Sequence, residues 1–412
     1  MPASIGHAGT QSASAAHKPK RSLHIPALDG IRGLAILLVL IFHFSQVAYD
    51  PAAKGLQSLV QRVMGAGWVG VDLFFVLSGF LITSILCEAV GTKGYFKNFY
   101  ARRTLRIFPL YFGTLLVAFV ILPLVFGRDP AYEHVYKDQW ALWLYVQNFI
   151  QIDWLAFSHF WSLAVEEHFY LVWPAVLFFC GRRGAMVACV LMIAGALAIR
   201  IGRVTMLPST YINAQMTYLW TICRMDSLAI GSLLALAVNG IAADLSRFRR
   251  FAPWVLLASI AGCGAMVAKY GSFSYQPHKL IQAVGYTTVA VGAAALLVLT
   301  ITAKPGNILT RVFTATSLRF LGKYSYGIYV IHSFLHHWMM HEYPLKRIQQ
   351  MVGSYWLAYV VYVVTAMLLS IGLALLSWHL YEKHFLKLKK YFEYRAPTME
   401  GFKPNESIVA KT

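Results

Sequence analysis

Residues 68–87 read WVGVDLFFVLSGFLITSILC, a run of 20 positions whose single charge is Asp72. A membrane-crossing α-helix needs about 20 mostly apolar residues, so this stretch, extended to 68–90, is long enough to span. Comparable stretches occur at 28–49, 107–127, 160–180, 185–203, 218–240, 253–270, 281–302, 319–341 and 355–381. The expected fold class is therefore all-α: a polytopic integral membrane bundle of about ten transmembrane helices. A further apolar piece, 140–150, is too short to cross and predicts a re-entrant or interfacial helix.

Composition agrees. The 412 residues are 58% hydrophobic and 13% charged, whereas soluble domains carry about 25% charged residues. Hydrocarbon explains the deficit, since a charge at its centre costs about 2.5–3.5 kcal/mol even on mild scales. The net charge of +19 reads as positive-inside loops. Most Lys and Arg fall on one side when the N-terminus is placed in the cytoplasm, which predicts N-in, C-in. Nucleic-acid binding would need a basic soluble domain, and none is visible. The five cysteines (Cys87, Cys180, Cys189, Cys223, Cys263) show neither metal spacing nor a secreted disulfide framework, so no metal is expected. Residues 1–22 read as a disordered cytoplasmic tail without signal-peptide character, 23–388 as the transmembrane domain, and 389–412 as a cytoplasmic tail.

Ionisable residues at membrane depth are functional hypotheses by default. The first span holds Asp29, Arg32 and His43, the second Asp72, the fourth Glu166, Glu167 and His168. The sixth holds Arg224 and Asp226, and the ninth His332. His43 follows Arg32 by 11 residues, roughly 16 Å along the axis and about three turns, so the two share a face. His43, Asp72, Glu166, Asp226 and His332 are all expected in the outer half of the bilayer. A histidine level with carboxylates suits proton transfer; polar clamps between helices are the structural alternative. Ser162, Glu166 and Tyr170 form a stripe at i, i+4, i+8, while Glu167 and His168 are expected to point elsewhere. At the inner end, Arg102, Arg103 and Arg106 precede the third span. Topology alone explains such residues, but Arg103 and Arg106 at i, i+3 also make a fork suited to phosphate, with Lys97 nearby. A basic mouth below an acid/base centre suits a phosphorylated donor whose reactive end enters the bilayer. It also suits an anion transporter or a lipid-linked-sugar flippase, although no inverted pair of broken helices is evident.

Five motifs then carry a family resemblance. They are Leu28-Asp29-Gly30-Ile31-Arg32-Gly33 with His43, Gly70-Val71-Asp72-Leu73-Phe74-Phe75 through Ser78-Gly79-Phe80, Arg102-Arg103-Thr104-Leu105-Arg106, Trp161-Ser162-Leu163-Ala164-Val165-Glu166-Glu167-His168-Phe169-Tyr170, and Tyr324-Ser325-Tyr326-Gly327-Ile328-Tyr329-Val330-Ile331-His332. In this order they resemble the membrane-bound acyltransferase 3 family, of the O-acetylase type that modifies polysaccharides or O-antigen. The sequence differs at Tyr381-Glu382-Lys383-His384-Phe385, where many relatives have proline in place of His384. Some relatives also append an extracytoplasmic SGNH hydrolase-like domain. The short tail here predicts none, so transfer would finish within the bundle or through a separate extracytoplasmic partner.

The resemblance implies transfer of an acyl group, usually acetyl, from cytoplasmic acetyl-CoA or another acyl-CoA to hydroxyls of an extracytoplasmic glycan or glycolipid, at the inner (cell) membrane. It implies donor contacts at Arg32, Arg102, Arg103 and Arg106, and His43 as general base with Asp72 or Glu166 orienting it. A transient acyl-His43 is the competing route. Ser78, Tyr170 and Arg224 are the oxyanion candidates, and Asp226 and His332 further substrate-contact candidates. Acceptor specificity would come from the outer loop 128–159, with Tyr132, Tyr136, Trp140 and Trp154.

Overall fold

The computed structural model describes residues 25–48, 50, 52–238, 245–274 and 278–394. The expected N-terminal tail lies outside the described residues, as does 395–412 of the C-terminal one. The principal helices are α1 (Pro26–Ser45), α2 (Gly55–Met64), α3 (Val69–Ala89), α4 (Tyr95–Leu116), α5 (Trp161–Met206) and α6 (Tyr211–Leu219). They continue with α7 (Thr221–Val238), α8 (Ala252–Tyr270), α9 (Tyr286–Ile301), α10 (Thr316–Glu342), α11 (Leu345–Val352) and α12 (Tyr355–Ser377). No β-strand occurs among the described residues.

Eight helical stretches among the described residues are long and apolar enough to cross a membrane. The difference from ten has two local causes. The stretch Leu155–Met206 contains a break at Gly181, whose φ of 60° and ψ of −173° are not helical, so the expected spans 160–180 and 185–203 are its two halves. Helix α10 covers 319–341 but carries Arg319, Lys323 and four histidines, and its polarity rather than its length sets it apart.

The bundle is organised by close backbone approaches. Helix α1 lies along α10, and α7 lies along both α3 and α5. Lipid tails are as apolar as leucine, so helix pairing in hydrocarbon depends on tight packing of small residues. A Cβ at Gly33 would overlap the Leu318 carbonyl, and one at Gly322 would overlap that of Asp29. Gly79 and Gly231 make the equivalent reciprocal contacts between α3 and α7. Large apolar side chains such as Leu171 and Leu368 face outward, whereas Asp72, Arg200, Arg224, Asp226 and His332 are fully buried. This is the polarity of a bundle solvated by lipid.

Two local expectations change. Segment 140–150 is no re-entrant helix: Trp140–Trp143 makes one turn, and Tyr145 (φ 58°) reverses the chain before the short 3-10 turn Gln147–Phe149. Polar anchors hold it against the bundle instead. Tyr111 donates to the Leu142 carbonyl at 2.8 Å, Gln147 Nε2 to Phe160 O at 2.8 Å, and Asn148 Nδ2 to Thr221 Oγ1 at 2.7 Å. At the other end, helix continues through His384, in Lys383–Lys387. Residues 389–394, expected to begin the tail, dock on α4: Asn98 Nδ2 donates to Glu393 O at 3.1 Å, and Arg102 to Lys389 O at 3.4 Å.

Candidate active site

His43 lies in the last turn of α1, where the contact between α1 and α10 brings it to His332. The two rings meet edge to face with centroids 4.7 Å apart, and His332 Nε2 is 3.3 Å from His43 Nδ1. Backbone carbonyls settle which nitrogens carry protons. A carbonyl only accepts, so His43 Nδ1, 2.9 Å from Val39 O, is protonated, as is His332 Nδ1, 2.6 Å from Tyr329 O. His332 Nε2 therefore presents a lone pair to the proton on His43 Nδ1. In the neutral pair, the second lone pair lies on His43 Nε2. The ring of His159 packs 5.0 Å from that of His332, completing a cluster of three imidazoles.

His43 opens onto a cavity of about 740 Å³, part of it continuous with solvent space. Loop 128–159 supplies Gln147, Asn148, Trp154 and His159 to its lining, which Trp68, Trp161 and Gln215 also join. Among the described residues, no Asp or Glu lines it.

The arginines border a second cavity, of about 770 Å³. Arg32, Arg103 and Arg106 line it with Ser78, Ser162, Glu166, Glu167 and Tyr170. The i, i+4, i+8 stripe of α5 thus faces one space. Glu167, expected to point away, lines it as well. Glu166 accepts from Ser78 Oγ at 2.6 Å, Arg32 pairs with Asp29 at 3.1 Å, and the Arg103 guanidinium stacks 5.0 Å from the Tyr170 ring centre. Arg102 turns away, donating to Lys389 O and Phe392 O. Val71 and Tyr329 line both cavities. The Tyr329 hydroxyl donates to His159 O at 3.0 Å and shares a short hydrogen bond with Ser162 Oγ.

The other carboxylates form separate clusters. Asp72 accepts from Arg224 through both oxygens at 2.8 Å and from Ser227 at 2.7 Å. Arg224 is also enclosed by aromatic rings, Tyr286 at 4.3 Å and Tyr218 at 4.8 Å. Asp226 pairs with Arg200 at 2.9 Å and accepts from Thr287 at 2.6 Å. The structure therefore does not bring Asp72 or Glu166 to the His43 cavity, and Arg224 and Asp226 line neither cavity. Arg224 and Asp226 lie on α7 and tie it to α3, α5 and α9. Three residues escaped sequence reasoning. Arg200 sorts with the outer-loop cations by position but is fully buried. His159 and Tyr329 carried no separate signal. His168 bridges to Thr221 at 2.7 Å and stacks on Phe149. Among the described residues no group of three or more His, Cys, Asp or Glu side chains is arranged to hold a metal.

The described residues thus form an all-α bundle in which a basic cavity abuts a histidine cavity. The chain belongs to the acyltransferase 3 family, whose acyltransferase domain matches residues 25–375. It is 28% identical over 392 residues to YrhL of Bacillus subtilis, named a candidate peptidoglycan O-acetyltransferase, covering 89% of this chain and 56% of that one. It is 29% identical over 339 residues to the peptidoglycan O-acetyltransferase OatA of Listeria monocytogenes, covering 75% and 49%. It is 25% identical over 321 residues to the O-acetyltransferase OatA of Staphylococcus aureus, covering 75% and 50%. The chain thus spans about half the length of these relatives. No solved structure matches it.

Proposed function

We propose that this protein transfers an acyl group, acetyl in the first instance, from cytoplasmic acyl-CoA to a hydroxyl of an extracytoplasmic glycan or glycolipid. The observation that carries the reading is the shared wall: the arginine cavity and the His43 cavity meet at Val71 and Tyr329. A donor held by its phosphates at Arg103 and Arg106 would extend its thioester past this wall toward His43. The N-in, C-in orientation puts the basic end in the cytoplasm and the His43 end on the acceptor side.

His43 Nε2 would take the proton of the acceptor hydroxyl as its oxygen attacks the thioester carbonyl. The new C–O bond forms, the C–S bond breaks, and the proton passes from the imidazolium to the departing thiolate. Through the transition state, Nδ1–H of the cation continues to donate to Val39 O and His332 Nε2. His332 then acts as a neutral counterpart of the acid in a hydrolase triad, in place of Asp72 or Glu166. Ser158, Trp161 and Gln215 also line the His43 cavity, and donors of their kinds, a hydroxyl, an indole N–H and an amide, stabilise a tetrahedral oxyanion. Ser78 and Tyr170 belong with Glu166 on the donor side.

The test compares surface glycans and glycolipids, by mass, from cells carrying the wild-type chain, the His43→Ala chain or neither. The expected result is a shift by one acetyl group in the first alone. An equal shift with His43→Ala overturns the role of His43. Uptake of an anionic solute or a sugar lipid with no acetyl shift would favour transport.

A further inference from the structure

A third cavity, of about 600 Å³ and partly open to solvent, adjoins the arginine cavity on the far side of Arg106. Arg106 and Tyr326 line both spaces. The remaining wall comes from two places: Lys323 and Tyr324 on α10, and Trp378, Glu382 and Lys389 where the chain leaves α12 through a π-helical turn, Trp378–Glu382. π-Turns are frequent at functional sites. Lys323 Nζ lies 4.9 Å from the Tyr324 ring centre and 5.7 Å from that of Trp378. Lys389 is partly buried and stands in the field of Arg106, Arg103, Arg102 and Arg32. Its backbone carbonyl is anchored by Arg102 at 3.4 Å. Five cations (Arg32, Arg103, Arg106, Lys323 and Lys389) line the two adjoining cavities against three carboxylates (Glu166, Glu167 and Glu382), a net positive formal charge that favours an anionic ligand spanning both.

We infer that this cavity binds the 3′-phosphoadenosine end of the donor, with Lys389 and Lys323 on the 3′-phosphate. The inference rests on the acyl-CoA reading above. Arg103 and Arg106 then hold the pyrophosphate at the boundary, and the pantetheine arm runs the other way, toward Tyr329. Each remaining group has a counterpart on the nucleotide. Aromatic faces stack on bases, and Trp378 and Tyr324 supply two. Glu382, whose Oε1 accepts from Ser377 at 3.0 Å, is an acceptor suited to the adenine amino group. A lone phosphate would need neither the rings nor the carboxylate.

The experiment measures binding of CoA and of 3′-dephospho-CoA to the detergent-solubilised full chain by calorimetry, with acetyl transfer to acceptor assayed separately. Charge-assisted contacts to one phosphate are worth roughly 10–100-fold in affinity. Wild-type protein should bind CoA more tightly than 3′-dephospho-CoA by that factor. Lys389→Gln and Lys323→Gln should each weaken CoA but barely change 3′-dephospho-CoA, so the preference shrinks; Arg106→Ala should weaken both ligands. A wild-type protein that does not distinguish the two ligands overturns the subsite, as does a preference that survives both lysine changes. Those results leave acyl transfer standing if acetyl still reaches the acceptor. A protein that binds neither ligand and transfers no acetyl overturns both readings.

Discussion

The nitrogen facing His43 Nδ1, 3.3 Å away, belongs to His332 and not to a carboxylate. His332 is held in turn by the Tyr329 carbonyl, which fixes its proton on Nδ1 and leaves Nε2 to accept. The pair joins α1 to α10, and on the proposed mechanism the strength of the base depends on a neutral neighbour.

This arrangement predicts unequal effects within the pair. General bases contribute about 10²–10⁴-fold to rate. His43→Gln should therefore lower acetyl transfer by at least about 10²-fold while the protein inserts normally. His332→Gln keeps a polar group beside Nδ1 and should cost less. It should also move the acid limb of the pH–rate profile, because an amide oxygen replaces the imidazole nitrogen as the imidazolium's accepting partner. The sign is fixed: a base must be neutral to act, so activity falls as pH drops in every variant that retains His43. An unmoved acid limb in His332→Gln would reduce His332 to packing.

The arginine cluster should divide in two. Arg103 and Arg106 line the arginine cavity, whereas Arg102 is spent on backbone carbonyls of the C-terminal segment. Arg103→Ala and Arg106→Ala should raise KM for acetyl-CoA by about tenfold or more each, the worth of a charge-assisted contact. Arg102→Ala should raise it less. Equal effects of all three would point to a general field instead of a built site.

Tyr329 lies between the arginine and His43 cavities. Replacing it with Phe keeps the ring but removes the hydrogen bonds to Ser162 and His159 O. Replacing it with Ala removes the partition. Tyr329→Ala should increase acetyl-CoA hydrolysis in the absence of acceptor relative to Tyr329→Phe, measured by thiol release from purified protein. No difference between the two would argue against a partition at this position.

The Asp72–Arg224 pair is fully buried and should act on stability before chemistry. Removing one partner of a buried pair typically costs about 3–5 kcal/mol, because the other charge is left unpaired. Asp72→Asn and Arg224→Met should each lower thermal stability in detergent markedly, and the double variant should recover much of it. If Asp72→Asn is as stable as wild type yet inactive, Asp72 takes part in the reaction.

Much of this was legible in the sequence, for physical reasons. Apolar length gives spans, and helical periodicity gives faces, so Ser162, Glu166 and Tyr170 were expected on one stripe and do line one cavity. Axial depth also follows from residue counting. What counting does not supply is azimuth. His43 and His332 are 289 residues apart, and Asp72 and Arg224 are 152 apart. Whether two groups at one depth touch depends on how the helices are rotated, and here close contacts at Gly33, Gly322, Gly79 and Gly231 set the rotation. Residues grouped by level therefore separated into an imidazole cluster, a donor-side carboxylate and two ion pairs. Arg200 carries no signal of its own near a span end, since charge counting gives such a residue a loop position, whereas its guanidinium reaches Asp226, Thr287 and the Cys223 carbonyl inside the bundle.

The central claim is that an acyl group passes from the arginine cavity to a hydroxyl activated at His43. Its most direct test supplies acetyl-labelled CoA to the cytoplasmic face of sealed, inside-out membrane vesicles that enclose acceptor glycan, with wild-type or His43→Gln protein present at equal, verified levels. Covalent label on the enclosed glycan with the wild type, reduced at least about 10²-fold in the variant, is the predicted result. Equal labelling by the two proteins, or label that enters the vesicle without attaching to acceptor, would contradict it.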